Sequence, residues 1–290
     1  MNEMQTPTLL CIGYGYCARV LADRLSREGW RIAATARTDD KAQTSKDEGI
    51  DAHVWLPDAL FAALPPRTHL LISAPPGEDG DPVLARYREA LLDQRDRIEW
   101  IGYLSTTAVY GDRAGGEVDE TSALTPASER GKRRVGAERD WLALAKETLP
   151  VHTFRLAGIY GPGRGPFEKI RRGTVQRIVK EGQVFGRIHV EDIATVLRAS
   201  MARPDPGTAY NVTDDLTCPP QEVIGHAADL LGVPRPPLVR FEDAEMSPMA
   251  RSFYGENKRV ANGRMKERLG VALAYPTYRE GLAAILAAEG

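Results

Sequence analysis

Residues 13–18 read Gly13-Tyr14-Gly15-Tyr16-Cys17-Ala18. Two residues without side chains, one apart and followed by alanine three positions later, let a chain turn sharply out of a strand and into a helix. Backbone N–H groups can then approach an oxygen-rich ligand closely. A helix starting at the turn adds the positive end of its dipole. The ligand that suits such a turn is the pyrophosphate of a dinucleotide; the competing reading is a turn that only redirects the chain. A turn of this kind that serves NAD is usually followed, about 20 residues on, by an acid for the ribose 2′-OH. Here residues 35–37 are Thr35-Ala36-Arg37. A guanidinium suits a 2′-phosphate, so NADP is expected, with NAD the alternative if Arg37 is merely a solvated cation at a strand end.

The elements needed to hold this turn are legible as hydrophobic patterns. An apolar run over 8–12 ends at the glycines, and 16–28 carries Ala18, Leu21 and Leu25 on one helical face before Gly29. Further strands are expected at 30–35, 52–56, 69–73, 100–104 and 151–156. A long helix striped by Val83, Leu84, Tyr87, Leu91 and Ile98 and a charged helix over 127–145 lie between the later ones. Strands alternating with helices pair in parallel, because each crossover returns the chain to the same edge. The expected class is α/β, a doubly wound, mostly parallel Rossmann sheet. Ser73, Ala74 and Pro75 after the fourth strand, and Leu156 and Ala157 at the end of the sixth, complete the expected cofactor contacts. After Gly165 the pattern changes. Residues 174–179 and 184–190 flank Lys180-Glu181-Gly182-Gln183 and read as a hairpin, with helices at 221–231 and 278–288. We expect a dinucleotide-binding domain over 1–163 and a smaller C-terminal α/β substrate lobe over 164–290, from which 184–213 returns to the sheet.

Composition narrows the class. With 290 residues, 42% hydrophobic, the chain can bury one large core or one core and a smaller lobe. A net charge of -2 and a pI near 6.3 disfavour nucleic acid and anionic membranes as whole-molecule partners, so a small-molecule substrate is expected. Cys11, Cys17 and Cys218 match neither a disulfide framework nor a zinc site. His53, His69, His152, His189 and His226 are scattered without metal-ligand spacing, so no metal is expected. His189 reads as structural and Asp192 as a helix N-cap. Residues 1–8 are polar and no apolar run reaches the roughly 18 residues of a membrane span, which points to a cytoplasmic protein.

Four further stretches carry a resemblance: Leu104-Ser105-Thr106-Thr107-Ala108-Val109-Tyr110-Gly111, Arg155-Leu156-Ala157-Gly158-Ile159-Tyr160-Gly161-Pro162-Gly163, Ile188-His189-Val190-Glu191-Asp192-Ile193-Ala194, and the closing Lys258-Arg259-Val260 with Leu269-Gly270. In this order and spacing the chain resembles the extended short-chain dehydrogenase/reductase family, the NAD-dependent epimerase/dehydratase group, over nearly its whole length. The resemblance implies a seven-stranded Rossmann sheet, bound NAD(P), hydride chemistry at a hydroxyl or carbonyl carbon, and often a homodimer built on the helices flanking the sheet. It also implies a Ser or Thr after the fifth strand, which maps to Thr106, and a Tyr-x-x-x-Lys pair on the next helix.

That pair is where the chain departs. Aligning Glu138 with the family's following glutamate puts Arg130 at the tyrosine position and Arg134 at the lysine position. A guanidinium keeps its proton, so Arg130 is not a general acid. Arg134 could still donate to the nicotinamide ribose hydroxyls. The competing reading makes Arg130, Lys132, Arg133, Arg134 and Arg139 the solvated face of a surface helix. The chain's one Tyr-x-x-x-Lys is Tyr254 to Lys258, far downstream, and Tyr254 is a second candidate for the cleft. Arg164, Lys169, Arg171, Arg172 and Arg177 follow the Gly161-Pro162-Gly163 loop and would select an anionic substrate if they are more than solvated surface. Two functions therefore stand: an NADP-dependent oxidoreductase or epimerase-like enzyme of atypical short-chain type, with Thr106 orienting substrate, or a non-catalytic dinucleotide-binding redox sensor or regulator. A nucleic-acid-binding role for the Arg-rich helix is disfavoured by the charge.

Overall fold

The computed structural model describes residues 6–55 and 58–289. The polar opening at residues 1–5, and Leu56, expected to close the third strand, lie outside the described residues. The chain divides into two compact units.

The first unit holds the described residues up to Thr106, Glu129–Arg155 and Ala194–Tyr210. Its elements alternate as expected: β1 (Thr8–Ile12), α1 (Tyr16–Arg27), β2 (Arg31–Ala36), α2 (Asp39–Asp47), β3 (Asp51–Val54), β4 (Thr68–Ile72), α3 (Pro82–Asp93), β5 (Ile98–Thr106), α4 (Glu129–Ala145), β6 (Val151–Leu156), α5 (Val190–Ala202) and β7 (Ala209–Val212). The seven strands form one sheet in the order β7-β6-β5-β4-β1-β2-β3, and β1 pairs in parallel with both β2 and β4. Every residue of β1 and β4 is buried. That is why Leu9–Ile12 and Leu70–Ile72 are unbroken apolar runs: in a parallel sheet covered on both faces, neither side of a strand meets water.

Helix α1 buries Cys17, Ala18, Leu21, Ala22 and Leu25, the i, i+1, i+4, i+5, i+8 stripe of a helix laid on a sheet. Helix α3 starts at Pro82 behind the N-cap Asp81, whose carboxylate accepts from the N–H groups of Val83 and Leu84 at 3.0 and 3.1 Å. Ile98, read above as part of this helix, opens β5 instead. The helix ends at Asp93 and a short 3-10 turn at Arg95–Arg97 intervenes, so the periodic spacing of Ile98 was coincidental. On β5, Gly102 has a packing reason. A Cβ there would lie 2.0 Å from the indole of Trp100, which shares its face two residues earlier.

The second unit comprises Thr107–Ser128, Leu156–Ile193 and the described residues from Asn211 onward. The chain passes from one unit to the other several times, and Ala194–Tyr210 belongs to the first. The expected hairpin of 174–179 with 184–190 is absent. Arg177–Val179 pairs in parallel with Leu238–Arg240, and Arg187–His189 pairs in parallel with Gly158–Tyr160. Alternating residues around a glycine satisfy a hairpin and two unrelated strands equally well, and long-range pairing decided between them. Tyr160, Phe167, Cys218, Val223, Ala227, Tyr278, Leu282 and Ile285 form this unit's core.

Candidate functional site

The sheet order places the chain's reversal between β1 and β4. From β1 the strands run outward through β2 to β3, and β4 starts the other way. Ligands in open α/β sheets bind at the carboxyl ends of the strands flanking such a point. Here the carbonyl of Ile12, the last residue of β1, accepts from the N–H groups of both Ser73 and Ala74 at 2.9 and 3.1 Å. The glycine turn and the segment after β4 are thereby drawn together.

Gly13 has φ +92°, and a Cβ there would meet the Ala74 nitrogen at 3.3 Å and the Ser73 Cβ at 3.4 Å. Its N–H donates to Thr35 Oγ1 at 3.1 Å, and the Tyr14 N–H donates to the Thr35 carbonyl at 3.2 Å. Gly15 is the N-cap of α1, with open space where a side chain would stand, no side-chain cap and no acid in the first turn. The positive end of the helix dipole is therefore uncompensated by the helix's own side chains. Ser73, which lies against Gly13, has its Oγ buried without a partner. Tyr14 stacks under Arg19 at 4.8 Å, and burial pushes its phenol up to about 12. Arg37 is exposed immediately after β2. A crowded Gly13, an open Gly15, an unneutralised helix end and an orphaned hydroxyl fit a bound pyrophosphate.

Further along the sheet, α4 lays Arg134, Glu138 and Trp141 on β5 and β6. Arg134 is buried, not part of a solvated face. Its Nη1 donates to the Leu104 carbonyl at 2.8 Å and the Tyr103 hydroxyl at 3.1 Å, while its Nε is buried without a partner. Four residues on, Glu138 accepts from the Ser105 hydroxyl and from Arg155 at 2.9 and 3.1 Å. Both members of this ion pair are buried. Thr106, the last residue of β5, is half-buried. Arg130 is exposed, as are Lys132 and Arg139, and Lys132 and Arg133 pair with Glu129 and Glu78 at 2.7 and 2.8 Å. The solvated-face reading therefore holds for Arg130, Lys132 and Arg139 and fails for Arg134, which is buried. The Glu138 and Arg155 pair was not singled out in advance. Its one signal was a charge inside the otherwise uncharged run 151–156.

In the second unit Leu156 and Ala157 are buried, and Ala157 donates to the Val212 carbonyl at 3.0 Å. Tyr254 stands just past the helix Pro248–Phe253, between Phe185 and Phe241 with ring centroids 5.3 and 5.1 Å away. Lys258 donates elsewhere, to the Gly111 carbonyl at 2.8 Å. The two share no helix, so their spacing does not create a Tyr and Lys pair. His189 caps α5: its Nδ1 accepts from the Glu191 N–H at 3.2 Å. Asp192, expected as the cap, instead accepts from the N–H groups of Ala274 and Tyr275 at 2.8 and 3.0 Å. Asp214 is buried with an unpartnered Oδ2, and burial pushes its carboxyl up to about 7. Among the described residues no group of three His, Cys, Asp or Glu could hold a metal, and no helix is long and apolar enough to cross a membrane.

The curated protein YeeZ of Escherichia coli K12 is 27% identical, matching 91% of this chain and 95% of its own. No family model matches. The structure of a functionally unknown conserved protein from Silicibacter pomeroyi is 54% identical and superposes with a TM-score of 0.90 over 98% of this chain and 99% of that one. The chain belongs to the family of that Silicibacter protein. The family shares its fold with better-known proteins. dTDP-glucose 4,6-dehydratase of Bacillus anthracis, solved in complex with NAD, is 17% identical with a TM-score of 0.74 over 97% of this chain and 96% of its own. Human epimerase family protein SDR39U1, solved with NADPH, is 18% identical with a TM-score of 0.71 over 96% and 98%. The fold of this family is thus the Rossmann α/β fold of the NAD-dependent epimerases and dehydratases, in agreement with the motifs of the sequence.

Proposed function

We propose that the chain binds a nicotinamide dinucleotide at the carboxyl ends of β1 and β4, with NADP(H) preferred, and acts on a small molecule as an atypical short-chain oxidoreductase or epimerase. The observation that carries this is the pairing of a side-chain-free, open helix N-terminus at Gly15 with the buried, unpartnered hydroxyl of Ser73. Gly13, Gly15 and the first turn of α1, with Tyr14, Tyr16, Cys17 and Ala18, hold the pyrophosphate. Ser73, Ala74 and Pro75 line the same crevice. Arg37 takes the 2′-phosphate, since β2 ends without the acid that would favour a free 2′-hydroxyl. The dinucleotide that is bound in two fold relatives, NAD and NADPH respectively, supports the ligand class. When bound, it supplies a hydride acceptor or donor.

Thr106 orients the substrate oxygen with its hydroxyl. Arg134 is locked to β5 through Nη1, and its remaining N–H groups offer donors to the nicotinamide ribose. With an exposed arginine in place of the tyrosine, residue 130 moves no proton. That observation favours a second reading, a dinucleotide-binding sensor without turnover.

Titration of the purified protein with NADPH and NADH, followed by nicotinamide fluorescence, tests the reading. Saturable binding with NADPH tighter supports it. If neither nucleotide binds at millimolar concentration, both readings fall. Oxidation of bound NADPH by carbonyl compounds or nucleotide sugars then separates the enzyme from the sensor.

A further inference from the structure

We propose that Asn262 is a modification site: it deamidates through the nitrogen of Gly263 when the segment around it opens, and the carboxylate so formed undoes the contacts that Asn262 makes in the second unit. Asn262-Gly263 is the one Asn-Gly pair in the chain. Glycine has no Cβ to shield its own nitrogen, so that nitrogen can attack the Asn262 Cγ. A bond forms between the two, the Gly263 N–H gives its proton to solvent, and the Cγ–Nδ2 bond breaks as Nδ2 takes up a proton and leaves as ammonia. Water then opens the resulting succinimide at either carbonyl, leaving aspartate or isoaspartate. Water is the only co-reactant.

The folded chain holds both reacting groups off this path. Asn262 stands just before the helix Gly263–Leu269 with φ -117° and ψ 12°. Ring closure requires the Gly263 nitrogen to eclipse the Asn262 Cβ about the Cα–C bond, whereas at this ψ it nearly eclipses the Asn262 nitrogen. The side-chain amide is also engaged. Its Nδ2 donates to the Thr213 and Asp214 carbonyls at 3.0 and 3.3 Å and to Asp215 Oδ1 at 2.7 Å, so its two protons are shared among three acceptors. Those acceptors are anchors themselves. The Thr213 hydroxyl and the Asp214 N–H donate to the Arg187 carbonyl at 3.1 and 2.6 Å, and the Asp215 N–H donates to the Pro276 carbonyl at 2.8 Å. Asn262 thus ties the start of its helix to a segment that also holds the strand Arg187–His189 and the approach to the helix Tyr278–Glu289.

Deamidation reverses these contacts. A carboxylate has no N–H to give, so two carbonyls lose their donor and the Asp215 carboxylate faces a like charge. Lys266, which pairs with Asp215, offsets one negative charge and not two. Isoaspartate also lengthens the main chain by one carbon directly before the helix. Because the closed site does not react, the rate follows the fraction of molecules in which the helix has come away from 213–215, a local opening that costs less than global unfolding.

The test is peptide mapping by mass spectrometry of the full chain held in mildly alkaline buffer, with and without denaturing guanidinium chloride, scoring the gain of one mass unit at Asn262. The folded chain is expected to deamidate about tenfold or more slowly than the unfolded one. Asp215→Ala, which removes one acceptor of the amide and the partner of Lys266, should raise the folded-state rate by about threefold or more and leave the unfolded rate unchanged. Gly263→Ala, whose Cβ meets only Glu267 Oε1 at 3.6 Å, should slow the reaction in both states. Asn262→Asp should melt below Asn262→Ala, since alanine loses the contacts and aspartate opposes them. Equal rates in the folded and unfolded chain, a folded-state rate untouched by Asp215→Ala, or an Asn262→Asp protein that melts with the wild type each overturn the proposal. Should either variant fail to fold, the rates of the unsubstituted chain carry the test.

Discussion

The backbone N–H of Gly13 donates to the Oγ1 of Thr35 at 3.1 Å, tying the glycine turn to the end of β2, while Ile12 ties it to the start of the segment after β4. Thr35 is fully buried. Thr35→Val keeps the shape and removes the acceptor, leaving the Gly13 N–H unsatisfied. The expected cost is about 1–3 kcal/mol, read as a lower thermal midpoint, and Thr35→Ser should restore most of it. Equal midpoints for Val and Thr would show that the turn holds without this bond.

Gly15 offers a cleaner probe of nucleotide binding than Gly13, whose positive φ and contact with Ala74 make any substitution disruptive. A Cβ at Gly15 meets nothing within 4 Å, and its φ of -92° is open to any residue. An aspartate at an N-cap stabilises a helix by about 0.5–2 kcal/mol relative to alanine. Gly15→Asp should therefore raise or preserve the thermal midpoint while repelling the pyrophosphate, weakening NADPH by about a hundredfold. Retained NADPH affinity in a folded Gly15→Asp protein would remove the assigned site.

Arg37 is assigned to the 2′-phosphate alone. Arg37→Asp should weaken NADPH by about tenfold or more, roughly 1.4 kcal/mol, and leave NADH equal or improved. Competition titrations of the two nucleotides give the ratio directly. A parallel loss for both would mean that Arg37 acts on the fold or on a feature common to the two.

The buried pair of Glu138 and Arg155 should be costly to break and cheap to replace. Glu138→Leu leaves a buried guanidinium without its counter-ion, and a loss of about 3–5 kcal/mol is expected in denaturant unfolding. Glu138→Leu combined with Arg155→Met should recover most of it. A double variant as unstable as the single one would mean that Ser105, the third member of the network, is what the carboxylate serves.

Asp214 keeps its proton in the folded protein up to about pH 7, whereas its ordinary value is 3.8. The folded state thus binds more protons than the unfolded chain between these values. This contribution is full below about pH 4 and is lost as pH rises toward 7, by about 1.4 kcal/mol per unit. His152 and His189, both held near 4 by burial, act oppositely over part of the window and favour the folded state as pH rises from 4 to their ordinary 6.5. Asp214→Asn removes only the first effect. Its stability relative to wild type should rise from pH 4 to 7 and then level off, as measured by urea unfolding at several pH values. A constant difference would mean that Asp214 titrates normally.

Much of the fold was legible because its signals are local. The buried runs of β1 and β4, the stripe of α1 and the glycines at 13 and 15 each follow from the periodicity of a covered parallel sheet. The errors lie where local signals were ambiguous. Ile98 continued a helical spacing by chance, and 174–190 satisfied a hairpin pattern while both of its strands paired with distant segments. Arg134 looked the same as Arg130 in a charged run, since a helix of mixed charges does not announce which side faces the sheet.

By itself the sequence determined the alternation of strands and helices and the glycine turn at the first crossover, because each is a matter of residue type and spacing along the chain. Tertiary structure decided which charges are spent and which remain. Glu138 meets Arg155 across 17 residues, and Asp192 caps a loop more than 80 residues away. Pairing of charges depends on distance in space, which spacing in sequence does not encode.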